Sequence, residues 1–237
     1  MGRFALSPPV IRTRDLHFSY PDGTLALNGI DFDLFEGETV ALLGANGSGK
    51  TTFVLHLNGL MRGRGLIEID GISLVPGREA EVRSKVGIVF QDSDNQLFMP
   101  TVLEDVAFGP LNYGAAVSEA ERTAREALAM VGATHLADRA PYHLSAGEKK
   151  RAAIAGVLAM RPKILVLDEP TTFLDPPSRR GLIRLLTQLP QAKLLVTHDV
   201  TFAAAVASRA VFFERGRVMA SGNVSEVASR FDWLDPA

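Results

Sequence analysis

The sequence predicts an α/β fold with a helical insertion and β additions at both ends. Three observations carry this. Two continuous β-type runs, Ile164–Leu167 and Leu194–Thr197, each end in polar residues, as parallel strands covered on both faces do. A third apolar run, Thr39–Leu43, leads through glycines into a helical stretch, Lys50–Leu60. Residues 95–160 then read as mostly helical, with repeated cap signals.

The elements follow in order. Residues 1–37 read as short strands with turns. Leu16–Tyr20 alternates, and Pro21-Asp22-Gly23 turns the chain. Leu66–Ile69 and Val86–Phe90 are further strand candidates. Thr101 with Glu104, and Ser118 with Glu121, fit the capping-box spacing. Glu119–Val131 is rich in Ala, Glu and Arg and strongly helix-forming. Ala210–Phe213 and Arg217–Ala220 flank Glu214-Arg215-Gly216, a hairpin signal.

Composition excludes several classes. The 237 residues contain no cysteine, which rules out a disulfide scaffold, a cysteine nucleophile and a Cys-ligated metal. A net charge of −2 argues against broad binding to a nucleic-acid backbone. The longest apolar stretch, Ala152–Met160, falls well short of the ~20 residues of a membrane span. The start, MGRFALSPPV, lacks a signal-peptide apolar region, and Leu6 breaks the myristoylation pattern. The expectation is a cytoplasmic chain, able to sit on a membrane through a partner. The five histidines, at 17, 56, 135, 143 and 198, show no paired ligand spacing, so no transition-metal site is expected.

Chemistry concentrates in three motifs. Gly44-Ala45-Asn46-Gly47-Ser48-Gly49-Lys50-Thr51 matches the phosphate-loop pattern in full, between an apolar strand and a helix. Its glycines let main-chain N–H groups turn inward around phosphates, and the following helix offers its positive end. Lys50 reaches the outer phosphates and the Thr51 hydroxyl ligates Mg²⁺ in such a loop. In the second motif, Ile164-Leu165-Val166-Leu167 delivers Asp168 and Glu169 to a strand's C-terminal end, where α/β sheets bind ligands. Alone, such a pair also suits a solvated turn. Downstream of a phosphate loop it suits a Mg²⁺-holding Asp168, acting through water, and a Glu169 that orients and deprotonates the attacking water. The third is Leu144-Ser145-Ala146-Gly147-Glu148-Lys149-Lys150-Arg151. Ser145 and Glu148 form a capping box, yet three cations crowd the helix start, against the helix dipole. A cationic helix start is expected to accept an anion.

This third motif resembles the ABC signature, and with it the whole chain resembles an ABC-type ATPase subunit. The resemblance implies a P-loop NTPase fold: a RecA-like parallel-sheet core, an antiparallel β subdomain and an inserted helical subdomain. Residues 1–237 are then one domain, with the core and β subdomain in 1–94 and 161–237 and the helical subdomain in 95–160. It implies ATP and Mg²⁺ as cofactors. It implies nucleotide contacts at Gly44, Asn46, Gly47, Ser48, Gly49, Lys50, Thr51 and Thr52, with Tyr20 stacking on adenine. By the same likeness, Gln91 is the glutamine that senses Mg²⁺ or water, and His198 the histidine that contacts the γ-phosphate. Ser145 and Gly147 act on the nucleotide of a second subunit, and Asp175 communicates across the dimer. The sequence departs from the family at Ala146, Glu148 and Phe173: the signature is ordinarily Leu-Ser-Gly-Gly-Gln, and a small residue ordinarily precedes the leucine of the aspartate loop.

The stretch Gln91–Pro110 and Phe18–Gly23 resemble the energy-coupling-factor transporter ATPases, which include the cobalt-transport CbiO type, although Ser93 replaces a proline often seen there. The likeness covers roughly residues 12–228. It implies a peripheral subunit at the cytoplasmic face of the membrane, paired with a second copy or a paralogous ATPase. Its further partners are an integral-membrane scaffold, the T component, and a substrate-binding membrane protein. Residues 92–110 then line the docking groove. The expected cargo is cobalt first, nickel next, or a vitamin. The alternative is a soluble ABC ATPase acting on nucleic acid or ribosomes. A single cassette, near-neutral charge and no room for a long coiled-coil insertion count against it.

Overall fold

A computed structural model describes residues 8–233. The reading at Leu6 lies outside the described residues. Contacts divide the chain into two units. Of the described residues, the first holds 8–86, 163–166 and 190–233; the second holds 87–162 and 167–189.

The first unit contains a four-stranded antiparallel sheet. It is made of β1 (Ile11–Ser19), β2 (Leu25–Leu34), β4 (Arg64–Ile69) and β5 (Ile72–Ser73), in the order β2-β1-β4-β5. Tyr20 stands just outside β1, in the turn whose N–H and C=O groups pair Tyr20 with Thr24 and Gly23. The strand therefore begins earlier and ends one residue sooner than the alternation Leu16–Tyr20 suggests.

The second sheet is built on β3 (Thr39–Leu43), every residue of which is buried. β3 lies parallel to β8 (Ala192–Val196) and to β9 (Arg209–Glu214). The sheet order is β10-β9-β3-β8-β7-β6, with β6 at Val86–Val89, β7 at Ile164–Asp168 and β10 at Arg217–Gly222. Arg215 and Gly216 link β9 to β10 with φ of 48° and 73°, the two left-handed residues that a tight hairpin turn demands. Helix α1 (Lys50–Leu57) follows β3, and Phe53 anchors it between Phe32 of β2 and Phe213 of β9, at centroid distances of 5.4 and 5.5 Å. The helix stops three residues short of Leu60. Gly59 turns left-handed there, and the Leu60 and Met61 N–H groups fold back onto the Leu55 carbonyl. Helices α7 (Val200–Val206) and α8 (Val224–Arg230) complete this unit, with α2 (Glu79–Arg83).

The second unit packs α3 (Val102–Asn112), α4 (Val117–Met130) and α5 (Ala146–Leu158) against one another, and adds α6 (Pro176–Gln188). The capping boxes at Thr101/Glu104 and Ser145/Glu148 form with both bonds in place. The one expected at Ser118/Glu121 does not. Helix α4 starts at Val117 behind Ala116, so Ser118 falls inside the first turn and no side chain caps that end. Among the described residues, no helix is long and apolar enough to cross a membrane.

Candidate active site

The phosphate loop forms where β3 runs out. Gly44 adopts φ 138°, and a Cβ there would sit 2.2 Å from the Phe213 carbonyl of β9, so only glycine fits. The Ser48 N–H closes a turn onto the Ala45 carbonyl at 3.1 Å, and Gly49 caps α1 with φ 106°. The Lys50 ammonium donates to the carbonyls of Gly44 at 2.6 Å and Ala45 at 2.9 Å, so the loop holds its own cation. Thr51 is exposed at the start of α1, between buried Lys50 and Thr52. The Thr52 hydroxyl bonds the Tyr20 hydroxyl at 2.9 Å, which fixes Tyr20 beside the loop helix, and the Phe18 ring meets Tyr20 edge-on at 5.1 Å. His56, fully buried, bonds the Thr52 carbonyl through Nδ1 at 2.7 Å, while its Nε2 has no hydrogen-bond partner among the described residues. Burial holds its pKa below the ordinary value, against the pull of the Thr52 bond. His198 is exposed between β8 and α7; Asp199 beside it caps α7 through the Phe202 N–H at 2.8 Å.

Beside Asn46 and Ser48 the first unit opens a cavity of about 350 Å³, floored by Phe212 and closed by Phe231 and Trp233. Phe231 stacks flat on Phe212 at 3.9 Å, and Trp233 meets Phe212 edge-on at 5.5 Å.

In the second unit, Asp168 and Glu169 are both about nine-tenths buried at the end of β7, and Glu169 takes a left-handed φ of 43°. A non-glycine residue held there is strained, a condition that clusters at functional sites. Asp175 caps α6 by accepting the Ser178 N–H at 2.9 Å. Gly147 lies against the same residue: a Cβ there would come 2.5 Å from the Ser178 hydroxyl. The Ser145 N–H and hydroxyl both donate to the Glu148 carboxylate at 2.8 Å, bonds that pull its pKa below the usual carboxylate range. Glu148 thus caps its helix where the family places a glutamine.

The three cations of this helix do not form the anion-accepting start that the sequence suggests. Lys149 meets Asp94 at 2.5 Å, Lys150 donates to the carbonyls of Phe90 and Gln91 at 3.2 and 2.8 Å, and Arg151 donates to the Val131 carbonyl at 2.6 Å. All three lie past the first turn and serve loops distant in sequence. Gln91 itself is exposed, and its main chain is what Lys150 holds. The sequence singles out these lysines but not their acceptors, Asp94 and the Phe90 and Gln91 carbonyls. The charge of the lysines at the unfavourable helix end was the only signal.

A nucleotide and Mg²⁺ fit these residues. In the first unit, the glycine-built loop at the start of α1 and the exposed Thr51 hydroxyl are of the kind that take a phosphate and a hard cation; in the second, the Asp168 carboxylate and the Gln91 amide oxygen are each hard donors of the kind Mg²⁺ takes. The ABC transporter family matches residues 27–172.

The chain belongs to the ABC transporter ATPase family.

An ABC transporter ATP-binding protein of Gloeobacter violaceus is 53% identical over 90% of this chain and 88% of its own length. The energy-coupling factor transporter ATP-binding protein EcfA of Methanothermobacter thermautotrophicus is 48% identical over 92% of this chain and 72% of its own length. Among solved structures, CbiO1 of Clostridium perfringens, described as part of the CbiONQ ABC transporter complex, superposes with a TM-score of 0.86 at 37% identity, covering 95% of this chain and 93% of that one. The dimeric cassette MJ0796 bound to ADP and phosphate gives 0.81 at 29% identity, over 90% of this chain and 98% of that one. This ABC ATPase is of the energy-coupling-factor type, with the P-loop NTPase fold; it binds and hydrolyses ATP with Mg²⁺.

Proposed function

We propose that this subunit powers an importer by closing on a second copy, or on a paralogous ATPase, with two ATP molecules between them. Lys50, Gly44, Asn46, Gly47, Ser48, Gly49 and Thr52 bind the phosphates of the chain's own ATP, and Tyr20 stacks on its adenine. Thr51, Asp168 and Gln91 hold Mg²⁺. When bound, the ion screens the phosphate charge that otherwise repels the attacking water. Glu169 orients that water and takes its proton, and His198 donates to the γ-phosphate oxygens. Ser145 and Gly147 cover the γ-phosphate of the other copy, and Asp175 links the two halves.

At the cytoplasmic face of the membrane, the subunit then docks peripherally on an integral-membrane scaffold through residues 92–110. A substrate-binding membrane protein completes the complex. Phe98 and Phe108 support that surface: both rings are exposed and meet edge-on at 5.0 Å. An exposed aromatic pair suits burial by an apolar helix of a partner. The cargo is a transition-metal ion, cobalt before nickel, or a vitamin.

The observation that carries this reading is the phosphate loop, whose backbone admits no side chain at Gly44 and whose lysine is already turned inward. Lys50→Ala is expected to abolish ATP binding in calorimetry, and unchanged affinity contradicts the role. Co-purification of the wild-type chain with an integral membrane protein, and ATP-driven cobalt uptake by that complex, test the transport reading. Tight, salt-sensitive RNA or DNA binding with no membrane partner overturns it.

A further inference from the structure

Helix α5 grips the segment around Gln91 at both of its ends. Lys150 Nζ donates to the Phe90 and Gln91 carbonyls, and Lys149 Nζ meets Asp94. The segment is also closed from within. Gln96 accepts the Phe90 N–H at 2.9 Å and donates to the Ile88 carbonyl at 3.1 Å. Asp92 accepts from the Asp94 N–H at 2.9 Å and from the Asn95 amide at 3.1 Å. A few residues on, Asp105 of α3 accepts the N–H groups of Phe98 and Met99 at 2.9 and 3.0 Å, which sets the exposed Phe98 ring against Phe108.

Lys150 is the unusual member of this set. It is only 3% exposed. A buried ammonium is costly unless its protons are used. Burial draws its pKa down to about 8, while the charges of Asp92 and Asp168 push the other way. Its two acceptors are the last carbonyl before Gln91 and that of Gln91 itself, just past the end of β6, where the sheet ladder no longer fixes the peptide planes. Those planes set the direction of the Gln91 Cα–Cβ bond, from which its side chain departs.

We propose that Lys150 is a positioning residue that locks the main chain at Gln91 to helix α5, so that Gln91 and the Ser145–Gly147 helix start move as one body. The inference rests on the reading above, in which Gln91 serves the chain's own ATP and Ser145 and Gly147 serve the other copy's. Lys150 then ties the two nucleotides of a dimer to each other. Through the segment leading to Phe98, it ties both to the surface offered to the membrane scaffold.

The test compares Lys150→Met, Lys150→Gln and Lys150→Arg in the full chain, measuring ATP hydrolysis against ATP concentration and, separately, binding of a non-hydrolysable ATP analogue with Mg²⁺. Lys150→Met is expected to lower kcat about tenfold, the loss of a charged hydrogen bond, with analogue affinity within about twofold of wild type. Its Hill coefficient falls towards one. Lys150→Gln, too short to reach both carbonyls, shows the same loss and serves where Lys150→Met does not fold. Lys150→Arg, which keeps the donors, recovers most of kcat and the cooperativity. Wild-type kcat and cooperativity in the neutral variants overturn the proposal. So does an equal loss in all three variants with analogue affinity gone, which marks Lys150 as merely structural. Failure of the underlying reading looks different: the wild-type chain itself then forms no ATP-dependent dimer and hydrolyses without cooperativity.

Discussion

His56 lies on α1 one helical turn beyond Thr52, with its ring edge-on to Phe18 at 4.7 Å. Its Nε2 is buried without a hydrogen-bond partner among the described residues, so the folded chain resists adding a proton there. The unfolded chain does not, and takes one near the ordinary imidazole value of about 6.5. Above that pH both states are neutral at this position and nothing is lost. Below it the unfolded state binds the extra proton, and stability falls by up to about 1.4 kcal/mol per pH unit until the folded pKa is reached. Denaturant midpoints measured between about pH 7.5 and 5.5 should show this slope, and His56→Asn should flatten it, although its starting stability is lower. An unchanged slope in the variant assigns the acid sensitivity elsewhere. Ligand spacing says nothing of this behaviour of His56, because burial, not spacing, sets it.

At the scale of the element, α5 shows what a sequence reveals and what it withholds. Its cap was legible because Ser145 and Glu148 are three residues apart and their bonds are local. The strands read at 39–43, 164–167 and 194–197 were legible because a continuous apolar run needs cover on both faces, although the second extends to Asp168 and the third runs from Ala192 to Val196. The partners of Lys149, Lys150 and Arg151 were not, since each acceptor lies 20 or more positions away in the chain. The absent cap at Ser118 is a register difference of two residues: the spacing is right, but Ala116 stands at the N-cap and the helix begins at Val117. The other constraint on α5 is steric. Gly147 faces Ser178 of α6 so closely that Gly147→Ala is expected to cost about 1–3 kcal/mol in chemical denaturation. Ser178→Gly in the same chain should return most of it. A loss that persists in the double variant places the strain within α5 rather than between the helices.

At the scale of the whole molecule, one chain carries a phosphate loop in one unit and a signature in the other, and the proposed cycle uses each with the complement from a second copy. Glu169→Gln keeps the shape of the side chain and removes the base. ATP binding should survive while water activation fails, leaving an ATP-bound dimer in size-exclusion chromatography; a variant that stays monomeric with ATP refutes the role of Glu169 in hydrolysis. The chain also holds a single tryptophan, and the fold has set it on the rim of the cavity beside Asn46 and Ser48, edge-on to Phe212. Nature has thereby supplied an optical probe: the ultraviolet emission of Trp233 should shift when a triphosphate enters the neighbouring loop and stay constant in Lys50→Ala, so occupancy of the enzyme can be followed in real time without a dye or label.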